Sequence, residues 1–186
     1  MPADVSSALR TLNSGPVPKL PPLAHPHYDT HWCGEQVSNE TAIFVFADVF
    51  EELCYRATHD QGCAAGLLTG AWCLGPFGPY LELDAFCNFD PIQGELALVN
   101  YLRAQRERIL DAQDGLVLGV ALSRSGSGGK LGPDELIALN SFFARPCYCA
   151  LILDGPADRA AWYHYQERSQ WTNVGCYLVD EHAAMV

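Results

Sequence analysis

From residue 41 onward, the hydrophobic and polar positions follow the periods of short strands and amphipathic helices. Ala42–Phe46 is an unbroken apolar run of strand length, which is typical of a buried strand. The next residues repeat apolar side chains at three- and four-residue spacing, as one face of a helix requires: Val49, Phe50, Leu53, Cys54 and Ala57. Residues 66–74 predict a second buried strand, and residues 80–89 alternate as a half-buried strand does. Since residues 75–79 are rich in Gly and Pro and favour a turn, we expect the two strands to form a hairpin.

The second half of the chain continues this succession of helices and strands. Residues 93–113 carry an apolar stripe at helical spacing and predict the longest helix. Pro133, followed by two acids, indicates the start of another helix, and the Gly- and Ser-rich residues 123–130 predict a flexible loop. Three short apolar runs are typical of strands: residues 116–122, 148–153 and 161–165. Residues 174–179 are a weaker strand candidate. The predicted order β-α-β-β-α-β-α-β-β over residues 41–165 is that of an α/β (α+β) domain.

Residues 1–40 form a compositionally separate zone in front of this domain. Five prolines lie between residues 16 and 26 of this zone: Pro16, Pro18, Pro21, Pro22 and Pro26. Each proline fixes φ and lacks an N–H donor, which disfavours a helix or a central strand. We therefore predict that residues 1–40 are a Pro-rich N-terminal arm that either lies over the domain or reaches a partner. Residues 166–186 are predicted to be a C-terminal tail with one added strand at most.

The overall composition is that of a folded globular protein rather than a disordered one, with 49% hydrophobic and 18% charged residues. The formal net charge of −11 argues against non-specific binding to nucleic acid or to anionic membranes, because both require clustered Lys and Arg. Two interpretations of the acidity remain open. It aids solubility, or it forms an acidic patch for a basic partner.

Eight cysteines raise the question of disulfides. Residues 1–24 lack the basic and apolar regions of a secretory signal, and no run approaches the roughly 20 apolar residues that span a membrane. Most of the cysteines lie in apolar segments, where the side chain acts as a small buried hydrophobe. We therefore expect reduced thiols, no membrane insertion and a cytoplasmic location.

Two other segments offer candidate ligand groups. His25, His27, His31 and Cys33 carry imidazole and thiolate groups that suit zinc. Their spacing matches no standard zinc pattern, so a solvated arm is the favoured interpretation. The Gly-rich residues 125–129 precede Lys130, but the spacing is not that of a phosphate-binding loop. We expect no cofactor at either segment.

Two further segments carry a family resemblance. They are residues 63–70 (CAAGLLTG), and residues 119–125 (GVALSRS) running on to residues 131–135 (LGPDE). Together with the apolar runs between them, they resemble the MPN (JAB/JAMM) domain of zinc isopeptidases and their inactive relatives. The resemblance implies an MPN-like central mixed β-sheet flanked by helices over residues 41–165.

In active members of that family, a Glu before a Gly-Leu-Leu-x-Gly strand is the general acid/base. A His-x-His-Pro and a Ser-x-x-Asp complete the site. Aligned with this chain, the positions of the Glu, the two His, the Ser and the Asp are occupied by Cys63, Leu122, Arg124, Gly132 and Glu135. A one-residue gap would put Asp134 at the last position.

These substitutions argue against metal chemistry. Catalytic zinc needs about three protein ligands, but Leu122 has no lone pair, and Arg124 has only donors and a permanent positive charge. The resemblance therefore implies a pseudoenzyme without catalytic residues, metal or cofactor. It also implies an interaction or scaffold subunit of a larger assembly, paired with a protein partner, another MPN-like subunit or a second copy. The alternative is a hydrolase with a rebuilt metal or thiol site made of Glu135 or Asp134, Cys63 and an arm histidine.

Overall fold

The computed structural model describes residues 15–34, 41–59, 62–110, 116–166 and 170–181. The strands in these ranges are β1 Val17–Pro18, β2 Tyr28–Cys33, β3 Ala42–Phe46, β4 Cys63–Gly75, β5 Gly78–Pro91, β6 Leu116–Arg124, β7 Cys149–Asp154, β8 Arg159–Gln166, β9 Gln170–Val174 and β10 Cys176–Glu181. The α-helices are α1 Ala47–His59, α2 Ala97–Ala104, α3 Arg106–Leu110 and α4 Pro133–Phe142. Single 3₁₀ turns lie at Pro22–Ala24 and Gly155–Ala157.

These strands form one mixed sheet. Nine of them follow the order β2-β10-β3-β5-β4-β6-β7-β8-β9, and β1 pairs with the end of β4. The β4–β5 hairpin is the long central pair, as the alternation in the sequence predicts. Strands β10, β3 and β5 run parallel to one another, and β6 runs parallel to β7. The predicted α/β (α+β) class is confirmed.

Helices cover both faces of the sheet. On β6, Leu118 and Ala121 pack into one hydrophobic cluster, while Val120 and Leu122 pack into another. Residues 120–122 alternate between the two faces with the two-residue period of a strand. A register shift against β4 between Val117 and Gly119 places Leu118 on the same face as Ala121. The first cluster takes in the apolar stripe of α1, which includes Leu53. The second takes in α2 and α4, so the same sheet separates α1 from the pair α2 and α4.

Most predicted elements are found, with two corrections. The helix predicted at residues 93–113 begins only at residue 97, because Leu96 adopts a left-handed backbone conformation with a φ of 53°. It is then interrupted at Gln105, whose side chain accepts a hydrogen bond from the amide of Asn88 at 2.7 Å. Residues 111–113 lie outside the described part. The tail holds two strands, β9 and β10, rather than one.

The described part of the arm lies on the sheet. Val17–Pro18 pairs in parallel with the end of β4, and the Tyr80 hydroxyl donates to the carbonyl oxygen of Leu20 at 3.1 Å. Strand β2 is an edge strand that pairs antiparallel with β10, and β10 in turn pairs with β3. Elements of the predicted arm, domain and tail therefore share one sheet. Residues 1–14 and 35–40 of the arm lie outside the described part.

The helices of the described ranges are too short or too polar to cross a bilayer.

Candidate functional site

The pairing of β4 with β6 brings the positions of the family motif together. Cys63 is directly opposite Arg124, and Ala65 is opposite Leu122. Directly opposed residues share a face of the sheet, and so do residues two apart on one strand. Cys63, Leu122 and Arg124 therefore lie side by side on the face covered by α4. Leu122 is buried and packs in the hydrophobic cluster of that face.

Arg124 occupies the centre of this cluster of positions. Its Nη1 lies 3.4 Å from Glu135 Oε1, and its Nη2 donates to the carbonyl oxygen of Lys130 at 3.0 Å. The Arg124 side chain is 37% exposed, whereas that of Glu135 is only 11% exposed. The guanidinium is thus held from two directions, by the carboxylate and by the loop that joins β6 to α4.

Glu135 is delivered by the first turn of α4. Gly132 caps this helix, Pro133 opens it, and Asp134 and Glu135 follow. Glu135 is buried, whereas Asp134 is exposed, so Glu135 is the acid that faces Arg124. A Cβ atom at Gly132 would overlap Glu135 Oε2. The carboxylate therefore lies in the space where a serine side chain at position 132 would begin.

The Cys63 thiol is half-buried beside these two charges. Burial raises its pKa, and the nearby Arg124 guanidinium offsets this only in part, while the Glu135 carboxylate adds to the increase. The thiol is therefore protonated at neutral pH. A neutral thiol is a weak nucleophile and a poor metal ligand, so Cys63 does not supply what the family's Glu supplies.

The loop after β6 is held from beneath by Asp154, at the end of the neighbouring strand β7. The backbone N–H groups of Gly126 and Gly128 donate to its two carboxylate oxygens at 3.2 and 2.7 Å. These hydrogen bonds, led by the one from Gly128, lower the Asp154 pKa. The Tyr163 hydroxyl also donates to the carbonyl oxygen of Gly129 at 2.9 Å. The glycine-rich composition predicts this loop from the sequence. The role of Asp154 is not predictable in the same way, because the sequence marks it only as an acid at the end of a buried strand.

The histidines of the arm do not join this site. His31 lies 3.6 Å from Asp180 on the β2–β10 pair, and the His25 and His27 rings lie 5.3 Å apart near the start of β2. Four strands separate β2 from β6 in the sheet order. Across the described ranges, no three His, Cys, Asp or Glu side chains are grouped to hold a metal. The arm histidines on and next to β2 therefore lie away from Cys63 and Glu135.

Comparison with known proteins gives a distant likeness to solved structures. No family model matches the chain, and no curated protein sequence resembles it significantly. Among solved structures, the chain is similar to the solution structure of protein DSY2949 from Desulfitobacterium hafniense, a Northeast Structural Genomics Consortium target. The TM-score is 0.46 with 14% sequence identity, and the match covers 71% of this chain and 90% of that one. A likeness this distant says nothing about function.

Proposed function

We propose that this chain is a non-catalytic, MPN-like pseudo-isopeptidase domain that acts in the cytoplasm through protein–protein contact. The observation that carries the proposal is the Arg124–Glu135 ion pair, with its 3.4 Å separation, at the positions where the resemblance expects a histidine and an acid. A fold often keeps its surfaces in use after its chemistry has gone.

The residues present do not fit a catalytic zinc ion. Zinc requires lone pairs from nitrogen, sulfur or oxygen ligands in tetrahedral array. Leu122 offers none, and the permanent charge of Arg124 repels a dication. The guanidinium takes over the electrostatic part of the metal's role, since it neutralises the buried carboxylate of Glu135. It cannot act as a Lewis acid or activate water.

Apolar side chains at the surface support an interaction role. Phe77, at the tip of the β4–β5 hairpin, is 98% exposed. It borders a groove of about 270 Å³, whose walls include Leu23, Trp32 and Tyr177. Large apolar and aromatic side chains clustered at a surface are typical of interaction sites. Another MPN-like subunit or a second copy of this chain would be a suitable partner.

Restoring the family's ligands tests the proposed origin of the site. We expect the wild-type protein to bind no stoichiometric zinc. The triple variant Cys63→Glu, Leu122→His, Arg124→His should take up about one zinc ion per chain, because two imidazoles and Glu135 then supply three ligands. Zinc is measured by elemental analysis after dialysis. We expect the triple variant to regain zinc binding more readily than isopeptidase activity, because position 132 is still Gly where the family has Ser.

The matched control is the double variant Cys63→Glu, Leu122→His, which keeps Arg124. It should bind zinc far more weakly, because the guanidinium remains at the second ligand position. A folded triple variant that takes up no more zinc than this control would contradict the alignment of these positions and remove the main support for the MPN proposal.

A further inference from the structure

A second cleft lies away from the Cys63–Arg124 site, where β3 and β10 end beside β5. Its volume is about 570 Å³. Five of its eight lining residues carry carboxylates: Asp48, Glu82, Asp84, Asp180 and Glu181. We call this the acidic cleft. None of its residues belongs to the positions of the family motif.

The sheet topology explains why the acids meet. Strands β3 and β10 are parallel neighbours, with Phe46 paired to Val179, so their carboxyl ends reach the same edge of the sheet. Asp48 follows one strand end, and Asp180 follows Val179 on the other. Glu82 and Asp84 come from β5, which runs parallel to β3 on its other side. Asp84 is the extra residue at a register shift of β5 against β4, and both carboxylates line the cleft.

Glu82 is the unusual member of the cleft. It is a charged residue in the middle of a central strand and is only 7% exposed. Its Oε1 accepts a hydrogen bond from Lys19 Nζ at 2.5 Å, but its Oε2 is buried and has no hydrogen-bond partner in the described part of the chain. A buried carboxylate oxygen without a donor is costly. This oxygen is therefore an unpaired acceptor in the wall of the cleft.

The arm shows which kind of group fits beside this carboxylate. Lys19 reaches Glu82 from the arm, with its side chain 51% exposed. Among the described residues, the ammonium group of Lys19 is too little charge to balance the five carboxylates of the cleft. The His31 imidazole lies 3.6 Å from Asp180. Burial and the negative charge of Glu82 raise the pKa of Asp84, as expected where negative charge is in excess.

We propose that the acidic cleft binds an arginine or lysine side chain of a partner protein, which donates to Glu82 Oε2 and pairs with the rim carboxylates. A guanidinium is the better match, because its several donors can reach Glu82 and Asp84 together. This proposal rests on the interaction role proposed above and adds the chemistry of the partner. It also assigns five of the chain's carboxylates to the binding of a basic partner. It does not depend on the ancestry of the Cys63–Arg124 site.

A titration with a basic peptide tests the proposal. The probe is acetyl-tetra-arginine amide, compared with acetyl-tetra-glutamine amide, and binding is followed by NMR on the ¹⁵N-labelled full chain at low salt. We expect the arginine peptide to shift the amides of residues 46–48, 82–84 and 179–181, with little effect from the glutamine peptide. The variant Asp84→Asn, Asp180→Asn should raise the Kd at least about five-fold, because it removes two rim charges.

The matched control is the variant Glu107→Gln, Asp158→Asn, which loses the same net charge at exposed positions outside the cleft. It should change the Kd less than about two-fold. The variant Lys19→Met should bind the arginine peptide more tightly, because it removes the competing ammonium from Glu82. Equal weakening by the two double variants, or peptide-induced shifts spread over the whole surface, would overturn the proposal. The zinc experiment has no bearing on this result, so the two proposals can fail separately.

Discussion

At the scale of single residues, the Arg124–Glu135 pair is the contact whose removal has the clearest consequence. We predict that Arg124→Met lowers the free energy of unfolding by about 1–3 kcal/mol, because it leaves the nearly buried Glu135 carboxylate without its counter-charge. The double variant Arg124→Met, Glu135→Leu should recover part of this loss, since no charge is then left unpaired. Urea unfolding of the two single variants and the double variant gives the coupling energy.

Arg103→Met is the control for this cycle. Arg103 is an exposed arginine on α2, and its replacement should change the unfolding free energy by less than about 0.5 kcal/mol. If the effects of Arg124→Met and Glu135→Leu simply add, the two side chains are not coupled. The electrostatic account of the site would then be wrong.

At the scale of elements, Asp154 joins the end of β7 to the loop between β6 and α4. Its two carboxylate oxygens accept hydrogen bonds from the N–H groups of Gly126 and Gly128. An asparagine could not replace both bonds in this arrangement, because it has one acceptor oxygen and one donor NH₂ group. We predict that Asp154→Asn lowers the urea midpoint at neutral pH and shifts the NMR signals of the Gly126 and Gly128 amides. Asp158→Asn is the control, since Asp158 is exposed and its left-handed backbone suits asparagine.

The same prediction has a defined pH dependence. The pKa of Asp154 is lower in the folded chain than its ordinary value of 3.8, so the folded state favours the ionised form. The stabilisation is therefore complete well above pH 3.8 and is lost as the pH falls through the folded pKa. The difference between wild type and Asp154→Asn should shrink over that acid range. A difference that stays constant down to pH 2 would show that the carboxylate charge is not involved.

Some features at the scale of elements can be predicted from the sequence, and others cannot. Residues 42–46 are correctly predicted as a strand because every one of them is apolar, and α4 begins at its proline as expected. The helical periodicity of residues 93–113 does not indicate the break at Gln105, and the contact of Gln105 with Asn88 joins residues 17 positions apart. Strand order has the same limit, since β10 lies between β2 and β3 through pairings that no local pattern encodes. The pairing of Arg124 with an acid was predictable only through the family resemblance.

At the scale of the whole molecule, the arm is part of the sheet, since β1 pairs with the end of β4 and β2 pairs with β10. Residues 15–24 place β1 beside β4, bring buried Pro21 next to Gly75 at the end of β4, and carry Lys19 to Glu82. The prolines do not prevent this, because β1 forms only two residues of strand at the margin of the sheet. The arm thus meets both the apolar groove, through Pro21 and Leu23, and the acidic cleft, through Lys19.

The contribution of this segment to stability can be measured by comparing two shortened chains. One begins at residue 15 and the other at residue 25, and both keep β2. We predict that the chain beginning at 25 is less stable by roughly 2–4 kcal/mol, because it loses two buried prolines and leaves the Tyr80 hydroxyl without its acceptors at Lys19 and Leu20. Chemical unfolding of both chains measures the difference.

Tyr80→Phe supplies the internal check. It should cost about 1 kcal/mol in the longer chain and nearly nothing in the shorter one, where the hydroxyl has already lost these partners. Equal stability of the two chains, or an equal cost of Tyr80→Phe in both, would mean that residues 15–24 do not pack on the sheet in solution.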